Sequence, residues 1–123
     1  MPASLQRESD SENIYRLDVS GILRKAELDS AQDALTADIG WIPGGKVRLL
    51  VVLDKFDGWD GLSNWSDLTF FARYGDNIER IAIVGEPRWR EYALMFAAAD
   101  LRRAPVEYFV ADAIAAARTW LSR

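Results

Sequence analysis

Lys46-Val47-Arg48-Leu49-Leu50-Val51-Val52-Leu53 is the stretch that decides the fold. It is short, almost unbroken in its apolar character, rich in β-branched residues and preceded by Pro43-Gly44-Gly45. Such a run reads as a central strand buried on both faces. Downstream, Ile81-Ala82-Ile83-Val84 repeats the pattern and stops at Gly85, and Val106-Glu107-Tyr108-Phe109-Val110 is a third, weaker version.

The intervals between these runs carry a helical period. Residues 63–74 set Trp65, Leu68, Phe71 and Ala72 along one stripe, and residues 88–99 do the same with Trp89, Tyr92, Ala93 and Phe96. Residues 112–121 open on Asp112, a good N-cap, and align Ala113, Ala117, Trp120 and Leu121. Upstream, residues 25–39 place Leu28, Ala31, Leu35 and Ile39 on one side and Glu27, Asp29, Gln32 and Asp38 on the other, with Gly40 as the stop. Residues 13–21 alternate instead, with Tyr15, Leu17 and Val19 against Arg16 and Asp18, which suits a strand covered on one side and ended by Gly21. Residues 5–8 are weakly strand-like.

The predicted order is therefore ββαβαβαβα. Strands alternating with helices imply right-handed crossovers and a parallel sheet centre, and the opening pair adds an antiparallel edge. The expectation is an α/β fold with a mixed sheet and four main helices, in one domain spanning 1–123.

Composition narrows the chemistry. The chain has 123 residues, of which half are hydrophobic, enough for a core without disulfides or metal. It contains no cysteine and no histidine, which removes thiol nucleophiles, imidazole proton shuttles, Ser-His-Asp triads and zinc sites built on those ligands. The net charge of −4 disfavours generic attraction to nucleic acid or anionic lipid. Arg88, Arg90, Arg102 and Arg103 are the best candidates for a local basic patch and are expected on solvated faces. Residues 1–18 lack a signal-peptide core, and no apolar run approaches the roughly 18 to 20 residues that span a bilayer. A cytoplasmic protein without stable membrane insertion is expected.

With the elements in place, the chain resembles the STAS domains, and more closely the SpoIIAA-like family. The resemblance is carried by residues 46–53 followed by Phe56-Asp57-Gly58-Trp59, by Trp65-Ser66-Asp67-Leu68, by residues 78–85 followed by Trp89, and by residues 106–109 with Ala117 and Trp120-Leu121. It covers the chain from about Tyr15 onward. It implies a STAS-like fold and a regulatory contact with a protein partner of the anti-sigma-factor antagonist kind. In those antagonists a phosphorylatable serine follows an aspartate after the central strand. Here that region reads Asp57-Gly58-Trp59-Asp60-Gly61-Leu62-Ser63-Asn64, with no Asp-Ser pair, so the switch is not carried over. The architecture also partly resembles the Sec14 type of lipid-binding fold, which implies an apolar ligand.

Ligands of open α/β sheets bind beyond the carboxyl ends of parallel strands. That rule selects Asp54 to Asp60 and Gly85 to Trp89. An apolar ligand would meet Phe56, Trp59, Trp65, Trp89 and Tyr92, although aromatic residues at helical spacing also serve simply to pack helices on a sheet. Trp59, in a glycine-flanked turn, stands outside any helical stripe. Phe70 and Phe71 cannot both face one core, so Phe70, Phe71 and Tyr74 form a candidate surface for a protein partner or a homodimer. Asp54, Asp57 and Asp60 invite a metal reading, but turn-forming and N-capping carboxylates are the simpler account, and no metal or cofactor is expected.

The leading expectation is a non-enzymatic regulatory or protein-interaction domain. The alternative is a carrier or sensor of a small apolar, lipid-like ligand near residues 56–61 and Trp89. A carboxylate- or metal-dependent hydrolase comes third.

Overall fold

A computed structural model of the chain describes residues 3–9, 13–60, 75–97 and 103–123. Five strands form one sheet in the order β1-β2-β3-β4-β5, with β1 Ala3–Ser9, β2 Ile14–Leu23, β3 Val47–Trp59, β4 Ile78–Gly85 and β5 Val106–Val110. β1 runs antiparallel to β2, and every later neighbouring pair is parallel. The mixed sheet with one antiparallel edge pair is thus the one the alternation of patterns implied. Among the described residues there are three α-helices, α1 Lys25–Ile39, α2 Arg90–Phe96 and α3 Ile114–Leu121. The helix expected at 63–74 lies outside the described residues.

Side chains leave the strands to alternate faces and build two cores. Tyr15, Leu17 and Val19 of β2 and Ile81 and Ile83 of β4 join the cluster that also holds Leu35 and Ile39 of α1 and Ala93 of α2. Ile14, Leu50, Val52, Ala82 and Val84 face the other way, onto Ala117 and Leu121 of α3. Leu50, Ala82, Ala117 and Leu121 are completely buried. Burying a leucine in this way contributes roughly 1.5–3 kcal/mol, which is what holds so short a helix on the sheet.

Polar contacts tie the layers. The buried Tyr15 donates its hydroxyl to Asp38 Oδ2 of α1 at 2.9 Å. Arg118 of α3 donates to Glu8 Oε1 of β1 at 2.5 Å through Nη2. The C-terminal carbonyls of α3 are met by two arginines from the sheet: Arg48 donates to the carbonyls of Leu121 and Arg123, and Arg80 to that of Trp120.

Four local expectations need correction. Gly21 does not end β2: it takes a left-handed φ of 61°, shifts the register, and the strand continues to Leu23. Asp112 does not cap α3; the cap position is Ala113, without a side-chain bond, because residues 111–112 form a turn just before it. The helix read at 88–99 is divided into a 3-10 turn, Pro87–Trp89, and α2. Finally, β3 does not end at Leu53 but runs six residues further, to Trp59.

Candidate functional site

The extension of β3 shapes the site. Leu53 pairs with Val19, Phe56 with Gly21, and Gly58 with Ile22. β3 therefore advances three residues while β2 advances two, and then two while β2 advances one. Each inserted residue is a bulge that re-aims the side chains beyond it. A strict period of two would put Lys55 beneath Leu53 on the face shared by Leu49 and Val51. Instead Lys55 is exposed, with a left-handed φ of 53°, and Phe56 turns inward to be only 2% exposed. The second insertion brings Trp59 to the same face. Gly58 makes this possible with a φ of 116°, a conformation that a side chain would strain, and Trp89 rests against it.

An aromatic cluster results. Phe56 meets Trp59 edge-on at 4.8 Å and Trp89 at 5.1 Å, while Trp59 and Trp89 are 5.9 Å apart. Phe96 of α2 stacks on Trp59 at 4.4 Å, and Tyr92 stands tilted at 6.4 Å. Arg88 lies over the Trp89 ring at 4.7 Å. The Trp89 indole nitrogen is buried without a hydrogen-bond partner.

Next to this cluster a cavity of about 150 Å³ lies against the sheet. Its floor is Leu17 and Val19, Leu49 and Val51, and Ile81 and Ile83, from three adjacent parallel strands. Leu28, Ala31, Gln32 and Leu35 of α1 form one wall, and Phe56, Trp59 and Phe96 form the aromatic end. Leu49 and Val51 are therefore only half-buried, although β3 has a strand on either side and Leu50 between them is fully buried. The central strand is closed on its α3 face and open to the cavity on the other, which corrects the expectation of burial on both faces.

Of the residues expected to hold an apolar ligand, Phe56 and Trp59 line the cavity. Trp89 packs behind them, and Tyr92 is 55% exposed on α2; neither is on the cavity wall. Trp65, Phe70, Phe71 and Tyr74 lie outside the described residues, as does Arg102. Arg88, Arg90 and Arg103 are exposed. Asp54 and Asp57 are exposed as well, and among the described residues no three acidic side chains are grouped to hold a metal. Among those residues no helix is long and apolar enough to cross a membrane.

Gln32, on the polar side of α1 by its sequence pattern, belongs instead to the cavity wall. The signal was present in its spacing, since it stands one turn from both Leu28 and Leu35. Leu49 and Val51 were recognised as strand residues, but nothing local distinguishes a side chain facing a cavity from one facing a helix.

At the carboxyl ends of β4 and β5, Tyr108 donates its hydroxyl to the Glu86 carbonyl at 2.5 Å. Burial, and secondarily the negative charge of Glu86, push its phenol pKa up.

The model of the SpoIIAA-like family matches residues 14–122. Among solved structures, the chain is similar to an uncharacterized protein with a SpoIIAA-like fold from Shewanella loihica PV-4. The two share 20% identity with a TM-score of 0.72, over 97% of this chain and 91% of the other. No curated protein matches the sequence.

Proposed function

The chain belongs to the SpoIIAA-like family, and from that premise we propose that it is a binding domain that takes a small apolar molecule into the cavity between its sheet and α1. The observation that carries this is the state of Leu49 and Val51: two aliphatic side chains in the middle of a sheet, left half-buried beside an apolar space. An apolar recess against the central strand leaves aliphatic surface uncovered, which an apolar occupant would take out of water. The absence of histidine and cysteine supports binding rather than catalysis.

Trp59 supplies the readout. Its indole forms part of the cavity wall, so an occupant changes the polarity around it. Titration with a panel of apolar molecules should shift the tryptophan emission and raise the thermal midpoint, and Trp59→Phe should remove most of the emission change. A panel that moves neither observable refutes the proposal.

A second reading rests on α2. Tyr92, Met95 and Phe96 follow i, i+3, i+4 spacing and are 55%, 64% and 37% exposed. A helical stripe of this kind suits a contact with a protein partner or a second copy of the chain. Sedimentation over a wide concentration range tests the latter, and a monomer throughout removes it.

A further inference from the structure

On the reading that the cavity is a binding site, we propose that it selects a neutral molecule about the size of one ring, with a single uncharged polar group that Gln32 holds. The volume sets the size. Apolar cavities of roughly this volume accept a benzene-sized guest, so the 150 Å³ space encloses about one ring and leaves most of a long acyl chain uncovered.

The walls set the charge. Among the described residues, Gln32 contributes the only polar side chain to a lining that is otherwise aliphatic or aromatic, and no charged side chain reaches it. An ionised carboxylate entering such a space would lose part of its water and meet no cation among the described residues, a penalty that disfavours it. Toward an uncharged group the same wall is hospitable. The Gln32 amide is half-buried on the cavity side of α1, and it makes no side-chain hydrogen bond among the described residues. It can donate to a carbonyl or accept from a hydroxyl. Half-buried among apolar neighbours, the amide keeps its donor and acceptor available to an occupant of the cavity. The stacked pair of Trp59 and Phe96 at the aromatic end offers ring edges and faces to a planar guest.

The test uses matched probes: toluene, benzyl alcohol, benzoate and laurate, each titrated into the full chain by calorimetry, with thermal unfolding in parallel. Toluene and benzyl alcohol should bind, with benzoate weaker than benzyl alcohol by about a hundred-fold or more. Gln32→Leu should weaken benzyl alcohol about five- to ten-fold and leave toluene unchanged or tighter. Val51→Phe, which fills the cavity from the floor, should abolish binding of both neutral probes. Ala31→Leu, from the α1 wall, provides the same check if Val51→Phe fails to fold. Benzoate or laurate binding as tightly as the neutral probes overturns the selectivity for neutral molecules while leaving the cavity a binding site. Benzyl alcohol indifferent to Gln32→Leu overturns the role of Gln32. No binding by any of the four, or binding that survives both filling variants, overturns the cavity as the site and this inference with it.

Discussion

The indole of Trp59 and the ring of Phe96 lie stacked, with 4.4 Å between centroids and 11° between planes. Trp59 ends β3 and Phe96 ends α2, so this one contact joins two elements that are 37 positions apart and completes the aromatic end of the cavity. Stacked aromatic pairs contribute about 0.5–1.5 kcal/mol beyond the area they bury.

A double-mutant cycle measures that contribution. Trp59→Leu and Phe96→Leu should each destabilise the fold, and the pair should show a coupling of about 1 kcal/mol in urea unfolding. Additive effects would mean that the two rings merely neighbour each other.

Lys55 holds a φ of 53° in the middle of β3, where side chains other than glycine are strained. The left-handed conformation costs roughly 1–2 kcal/mol, and glycine returns part of that gain through a more flexible unfolded chain. Lys55→Gly should therefore raise the urea midpoint, with a net stabilisation of about 0.5–1 kcal/mol. Lys55→Ala should give no such gain, since alanine retains the strain. A midpoint lowered by glycine would show that the bulge is not strained.

Arg48 and Arg80 are register partners on β3 and β4, and both donate to the last carbonyls of α3. Their charges complement the negative end of the helix. Arg80→Met should cost about 1–2 kcal/mol and speed amide exchange in the last turn of α3 more than in the sheet. Part of the loss comes from the guanidinium over the Trp120 ring, at 5.3 Å. Uniform acceleration of exchange across the domain would contradict a local capping role.

Tyr108 has its phenol pKa pushed up in the folded state. An acid with a raised folded pKa binds its proton more firmly when folded, so stability is unaffected well below the ordinary tyrosine range. It falls as pH rises through and beyond about 10, where the unfolded chain ionises first. Thermal midpoints should therefore decline above that pH, and Tyr108→Phe should flatten this alkaline limb while losing the bond to the Glu86 carbonyl. An alkaline limb of the same steepness in both proteins would assign it to other groups.

Much of the fold could be read in advance because its signals are local. The alternation of Tyr15, Leu17 and Val19, the apolar runs of β3 and β4, and the spacing of Leu35 and Ile39 each depend only on the period of the element that carries them. The cap of α3 was misread because an aspartate before an apolar run is a statistical signal, and Asp112 lies in a turn one residue too early. The end of β3 was misread for a deeper reason. Asp54 to Trp59 look like a loop in composition, while the bulges that keep them in the sheet exist only through pairing with Gly21 and Ile22.

By itself, then, the sequence determined the class of fold, the resemblance to the SpoIIAA-like family, the absence of histidine and cysteine chemistry, and the aromatic character of the segment that carries Phe56 and Trp59. Each of these follows from residue identity or short-range periodicity. Only the tertiary structure decided that Gln32 lies on the cavity wall, that Leu49 and Val51 border the cavity, and that Trp59 stacks on Phe96. Those facts depend on the space left between a sheet and the helices packed on it, and the dimensions of that space belong to no single segment of the chain.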